Sequence, residues 1–373
     1  MVEPGRTVPS DAEFVVVGAG LLGLCTAWHL VRRGCEVVVL ERDRVGHPRA
    51  GSHGSCRIFR LGYDDPRYVE MAKQARPLWR QMEAATGSEL LMETGQVTFG
   101  EDLPLLISAL TEAGAPFERW PAADVARRFP EVAAPGPAVF EPASGVIDAD
   151  RCLRTLRAAV QSCLHEGVAV LGLADEGRTV RVKTTAGDIS ASGAVCCAGP
   201  WSAPLLATAG IGLALTVSVE QVAYFASRRP LPTAMPVIVE RNHPMMYGLS
   251  TPDLACYKLG LHHSGRPVHP DGADMVPDPA ADRPLVASVA RLLPGFDPHP
   301  VRSERCFYDN TPDQDFVIDR VGRIVIGAGT SGHGFKFGPL VGEILADLAR
   351  GQTPRLPVDW LAATRPGLRA TFP

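Results

Sequence analysis

Residues Gly18-Ala19-Gly20-Leu21-Leu22-Gly23 constrain this chain more than any other stretch. They follow a short apolar run, Phe14–Val17, and open the segment Leu21–Arg33, in which Leu24, Ala27, Trp28 and Val31 recur at helical spacing. A second apolar run, Val37–Glu41, comes next. Strand, glycine turn, helix and strand make a β-α-β unit, whose crossover requires parallel strands. In that setting Gly18 permits the tight turn, Gly20 lets a pyrophosphate approach the backbone, and Gly23 lets the helix lie close to the strand. The helix N-terminus turns unpaired N–H groups and a positive dipole end toward phosphates. Glu41 closes the second strand 41 − 23 = 18 positions on, where a carboxylate accepts both ribose hydroxyls. The motif predicts a dinucleotide and leaves FAD and NAD both open.

With 373 residues the chain is long enough for about two domains and a substantial core. A helical period runs from Tyr68 to Met82 and another from Leu103 to Ala113. Arg151–His165 reads as a further helix, with Asp148 or Asp150 as its N-cap. Pro121–Pro142, rich in Pro and Ala, reads mostly as loop. Strand-like runs follow at Val168–Leu171, Val180–Lys183 and Val195–Ala198, then at Val217–Phe225, Val237–Glu240 and Tyr257–Leu261. A last strand–helix unit joins Ile324–Ile326 to Leu340–Ala349 across a Gly-rich turn. Nucleotide-type elements therefore sit at the start, middle and end, with β-rich material between them. The pattern predicts an α/β (mixed α+β) chain in which a Rossmann-like domain is interleaved with a mixed β-sheet domain.

Composition removes several functions. Lys and Arg number 37 against 41 Asp and Glu, a net charge of −4 without a basic block, so the cationic footprint of nucleic-acid binding is missing. Three glycines at close spacing interrupt the apolar run Phe14–Leu30, which argues against a membrane span. The first thirteen residues lack the charged and apolar regions of a signal peptide. Nine cysteines, odd in number and without a CxxC pair, argue against a disulfide framework or structural zinc and for a reducing cytoplasm. His262 and His263 have no third ligand at convincing spacing, so no metal is expected. Gly329-Thr330-Ser331-Gly332-His333 is not a hydrolase elbow, because His333 stands where the closing glycine is needed.

Three further segments carry more specific information: Ser52-His53-Gly54-Ser55-Cys56-Arg57-Ile58-Phe59-Arg60, Cys306-Phe307-Tyr308 and Gly332-His333-Gly334-Phe335-Lys336-Phe337. With the glycine turn, and with Ala198-Gly199-Pro200-Trp201 between them, they resemble the FAD-dependent amine oxidases of the monomeric sarcosine oxidase and N-methyltryptophan oxidase type, within the D-amino-acid-oxidase-like superfamily. The resemblance spans nearly the whole chain. It implies an FAD-binding domain from residues 1–87, 146–211 and 310–373, and a substrate domain from 88–145 and 212–309 that covers the isoalloxazine.

The same resemblance assigns roles. Cys306 matches the position that holds FAD through a thioether; Arg42, Ser52, His53 and Gly54 fall among the cofactor's neighbours. Gly332, Gly334 and Gly338 would bring backbone N–H groups to the flavin, with the helix near Pro339 pointing its positive end there. Lys336 matches a lysine that activates oxygen near the flavin and also meets the substrate carboxylate, where a preorganised cation stabilises developing charge. Arg60 falls on the position that receives the carboxylate, for which a guanidinium fork is suited, and Arg57 on one that tunes the flavin. If helical, the two arginines share a face. Position 56, often Thr in the family, is Cys here. His262 matches an active-site histidine, which near neutral pKa would orient or deprotonate an amine. Tyr63, Tyr247 and Tyr308 match aromatic positions lining the substrate cavity.

The implied reaction oxidises a secondary amine or imino acid carrying a carboxylate to an imine, with O2 reduced to H2O2. N-methyl amino acids such as sarcosine are the first expectation. Cyclic imino acids (proline, pipecolate or a piperideine carboxylate) are the alternative, as is a flavin dehydrogenase with a protein electron acceptor. A monomer or small homo-oligomer is expected.

Overall fold

The computed structural model describes residues 7–231 and 233–368. Five parallel strands form the centre of an eight-stranded sheet, in the order Ile324–Ala328, Gly187–Cys196, Asp11–Val17, Val37–Glu41 and Leu164–Glu166. Val15 and Val16 point to opposite faces, and both are wholly buried, as expected of a parallel sheet covered on both sides. On one face lie the helices Leu21–Arg32, Pro66–Thr86 and Gly338–Ala349, which share a core containing Leu24, Trp79 and Ile344. The expected β-α-β unit is present with the predicted register of elements.

A nine-stranded sheet is built around Thr216–Ser227, which pairs antiparallel with Cys256–Leu261 and with the long strand Phe296–Asn310. Toward its far edge the strands Gln96–Gly100, Ala138–Glu141 and Glu118–Trp120 come from much earlier in the chain. A third, small sheet joins Cys56–Phe59, Gly145–Asp148 and Leu91–Met92.

Several elements depart from the sequence expectations. The helix expected over Arg151–His165 spans Ala149–Ala159, and Leu164 instead pairs with Val39 at the edge of the parallel sheet. Val160 and Leu164 mimic one helical face, yet the open edge takes the tail as a strand. Asp148 is the N-cap, accepting from the Arg151 N–H at 2.9 Å. Within the expected loop Pro121–Pro142 lie a helix, Ala122–Arg128, and the wholly buried strand Ala138–Glu141. The helix Pro279–Leu292 was not legible in the periodicity, although Asp278 caps it and Pro279 occupies its first turn.

Candidate active site

A cavity of about 410 Å³ has walls from both large sheets and reaches from the Gly18–Gly20 turn to Lys336. At the first end, Gly18 has φ +94° and Gly23 lies so close that a Cβ on it would stand 1.9 Å from the Gly18 carbonyl oxygen. That close approach is what the motif predicts. Glu41 ends its strand on the cavity wall, with Oε2 accepting the Ala19 N–H at 2.9 Å and Oε1 the Asp43 N–H at 3.0 Å. Each oxygen keeps a second lone pair. Ser52 Oγ accepts the Leu21 N–H at 3.0 Å and stands over Gly20. The Arg42 guanidinium sits 3.9 Å over the Trp201 ring and 3.3 Å from Asp271.

At the other end four cations meet. Arg57 spends its guanidinium on carbonyls of its own loop, Cys56 O at 3.0 Å and Gly51 O at 3.1 Å. Arg60 lies 4.7 Å over the ring of Tyr63. Arg57 lies on the strand Cys56–Phe59 and Arg60 directly after it, not on a helix, so the shared helical face does not exist; both side chains nonetheless reach the cavity wall. Lys336, 5% exposed, donates to Tyr63 Oη at 2.8 Å and to His333 O at 2.7 Å. Its backbone is pinned by Trp79 Nε1, which donates to Lys336 O at 2.8 Å. Burial and the neighbouring Arg60 push its ammonium well below the usual lysine range.

The fourth cation, Lys258, was missed as a site residue. It is 5% exposed, lines the cavity, and donates to Cys56 O at 3.1 Å. Burial, then Arg57, pulls its ammonium down. The available signal was a lysine inside the otherwise apolar strand Cys256–Leu261. Among the described residues, none of the four cations has a carboxylate within 4.0 Å. Such a wall calls for an anionic occupant.

Cys306, on Phe296–Asn310, is half-buried on this wall. Burial raises its thiol, while Arg57 and Lys258 oppose the rise. Tyr308 is packed on Gly332, whose φ of +76° and contact with the ring leave no room for a Cβ. Gly334 and Tyr247 complete the wall here. His262 also lines it, but burial, with His263, Arg60 and Lys336, pushes its imidazole down to about 2. The near-neutral pKa expected from sequence is therefore corrected: this histidine stays neutral and is a poor base.

Five sequence candidates stand off the wall, among them Gly338, where an added Cβ would stand 2.5 Å from Leu21 Cδ2. Gly23 packs on the turn; His53 Nε2 bonds Arg305 O at 3.0 Å; Gly54 sits against Arg57 and Glu304; Tyr63 lies behind Arg60 and Lys336. Asp309, not foreseen, holds the final turn by accepting Gly329 N–H at 2.8 Å and Thr330 Oγ1–H at 2.7 Å.

The glycine turn, the spare lone pairs of Glu41, the cationic far end and a thiol between them fit a dinucleotide whose other terminus is a redox ring. The chain matches the family of FAD dependent oxidoreductases over residues 13–348. It is 32% identical to the peroxisomal sarcosine oxidase of Homo sapiens over 92% of this chain and 93% of that one. It is 26% identical to the monomeric sarcosine oxidase of an Arthrobacter species over 97% and 98% of the two. Its structure is similar to that of NikD, an unusual amino acid oxidase essential for nikkomycin biosynthesis, with a TM-score of 0.86, 28% identity, and 95% and 98% of the two chains covered. No helix among the described residues is long and apolar enough to cross a membrane.

Proposed function

As a member of the FAD dependent oxidoreductase family, this chain, we propose, oxidises the C–N bond of a secondary amine carrying a carboxylate, an N-methyl amino acid, to an imine, with O2 as electron acceptor and H2O2 as product. The observation that carries this reading is the Arg60–Lys336 pair, two cations on one cavity wall with no carboxylate of the described residues within 4.0 Å.

Bound FAD supplies the two-electron acceptor. Gly18, Gly20, Gly332 and Gly334 give it backbone access; Glu41, Arg42 and Ser52 hold its nucleotide end. We assign a covalent tether to Cys306. Of the three cysteines on the wall, Cys56 and Cys197 are buried, and only Cys306 is half-buried. Residues 1–87, 146–211 and 310–373 form the FAD domain in this reading, and 88–145 and 212–309 the substrate domain. We place the enzyme in the cytoplasm on the strength of nine free cysteines, and take it to be a monomer or small homo-oligomer.

Arg60 takes the carboxylate through its planar fork, and Lys336 adds its remaining N–H. This anchors the amine beside His262, which, being neutral, accepts a hydrogen bond from it without repelling a cation. Tyr247 and Tyr308 close the aromatic wall. Only the neutral amine has a lone pair to release, so the proton leaves before oxidation. Lys336 has two protein acceptors and Lys258 one. Lys258 thus keeps more donor capacity, and we assign it, rather than Lys336, to stabilising negative charge on oxygen.

A cyclic imino acid is the second reading: it carries the same carboxylate and secondary amine that the Arg60–Lys336 pair would anchor. A peroxide-coupled screen of the holoenzyme with sarcosine, larger N-methyl amino acids, proline and pipecolate tests both. Substrate-dependent reduction without peroxide, and slow reoxidation in air, would make the protein a dehydrogenase with a protein acceptor.

A further inference from the structure

We propose that Asp271 is a positioning residue for the cofactor: it fixes Arg42 and Trp201 together at the nucleotide end of the cavity, and this clasp keeps the nucleotide half of FAD docked. The inference rests on the reading that Glu41 and Arg42 hold that end, and not on the identity of the amine. One oxygen makes the contact twice. Asp271 Oδ1 accepts from Trp201 Nε1 at 2.8 Å and from Arg42 Nη1 at 3.3 Å. The guanidinium lies 3.9 Å over the indole ring. Arg42 and Trp201 line the cavity, while Asp271 does not.

Three stretches distant in the chain converge here. Arg42 directly follows the strand Val37–Glu41, and Trp201 ends the turn Gly199–Trp201 beyond the strand Gly187–Cys196. Both strands belong to the parallel sheet. Asp271 comes from residues 268–278, which begin and end on strands of the nine-stranded sheet. The Val268 N–H donates to Val217 O at 2.8 Å, Arg305 Nη1 to Asp274 O at 3.1 Å, and the Asp278 N–H to Gln221 Oε1 at 2.8 Å. Midway along, Arg49 Nη2 donates to Pro270 O, a second hold on the same segment. The segment is therefore a strap, anchored at its ends on one sheet and gripped at its middle by side chains that follow strands of the other. Arg42 also carries Asp43, whose Oδ2 accepts from Nε at 3.2 Å. With two carboxylates on it, the guanidinium is a planar group laid on Trp201 rather than a free charge for phosphate. Phe307, one residue past Cys306, meets the Trp201 ring edge-on at 6.1 Å, so the clasp adjoins the strand that carries the thiol.

Arg42 and Asp271 are both partly exposed, and an ion pair of that kind contributes little to folding. Its effect is preorganisation: two wall side chains are already fixed when the dinucleotide docks, so their ordering does not weaken binding. Such a gain appears mainly in the dissociation rate.

The test is release of FAD from Cys306→Ala holoenzyme, in which no thioether holds it, followed by flavin fluorescence after dilution. Adding Asp271→Ala should speed release about tenfold while the loading rate stays within about threefold and Tm is unchanged. Asp271→Asn keeps an oxygen for the Trp201 N–H and should recover part of the loss, a rescue that a merely structural role would not give. Release unchanged by Asp271→Ala but hastened by Arg42→Ala overturns the clasp and leaves the nucleotide-end reading standing; release unchanged by both overturns the two together. Release and loading hastened alike, with FAD affinity unchanged, would make the strap a gate and overturn positioning. Should Cys306→Ala retain acid-stable flavin, apoprotein from riboflavin-starved cells is titrated with ADP, which forms no bond to the chain: a Kd raised by Asp271→Ala supports the clasp, and an unchanged Kd overturns it.

Discussion

Cys306 stands opposite Glu220 in the antiparallel ladder between Thr216–Ser227 and Phe296–Asn310, and the Glu220 carboxylate is already engaged by the N–H groups of Ser264 at 3.0 Å and Gly265 at 2.7 Å. Burial, together with Glu220 and Glu304, raises the thiol, while Arg57 and Lys258 on the cavity side oppose that rise and favour the thiolate that attachment of a flavin needs. Acid-denatured protein should therefore retain FAD, adding the cofactor's mass to the chain. Cys306→Ala should release all of it on denaturation; acid-stable flavin in that variant would move the tether elsewhere.

The two buried lysines should separate kinetically. Lys336→Met removes part of the carboxylate clamp and should raise KM at least tenfold with little change in reoxidation. Lys258→Met should slow the reaction of reduced enzyme with O2 by ~10²–10³, the usual cost of losing one preorganised charge-stabilising group, while anaerobic reduction by substrate stays within a few-fold. Stopped-flow half-reactions check both, and the reverse pattern would return the oxygen role to Lys336.

Gly332→Ala should be poorly tolerated. An added Cβ would stand 2.0 Å from the Tyr308 ring, at a φ of +76° that L side chains rarely adopt. Overpacking of this kind costs about 1–3 kcal/mol. The expected result is a lower Tm together with reduced FAD content after purification, read from the ratio of flavin to protein absorbance.

His29 ties stability to pH. Its ring, 3.0 Å from Pro339 O between two packed helices, is pushed from 6.5 down to about 4, first by burial and then by Arg33. Between these values the unfolded chain binds a proton that the folded one refuses, so stability is full above pH 6.5 and falls as pH drops toward 4. Between pH 7.5 and 5.0 the wild type should lose about 2 kcal/mol more than His29→Gln, which keeps an N–H donor but does not titrate. Urea unfolding at the two pH values measures the difference; equal losses would show that His29 is protonated when folded.

Much of the cofactor end was legible because glycine positions and apolar runs report local geometry directly. Gly18, Gly23 and Glu41 occupy the relationships their spacing implies. Elements decided by distant pairing were not. Leu164 follows a helical period but is taken by Val39, and Ala138–Glu141 exists as a strand because Gln96–Gly100 lies beside it. Lys258 escaped notice because surface exposure is the commonest fate of lysine. Tyr63 was expected on the cavity wall and lies one layer behind, where its ring carries Arg60 and its hydroxyl takes Lys336. His262 was identified by motif, but its charge state depends on cations that only the fold brings near.

The parallel sheet is completed by Ile324–Ala328, and the cavity wall runs from Gly18 to Lys336. A ribosome delivers the glycine turn early and the closing strand and lysine roughly three hundred residues later. FAD can thus gain its full grip only after residue 336 has emerged, which makes cofactor loading an event of the finished polypeptide and leaves the early segments to await partners still unsynthesised.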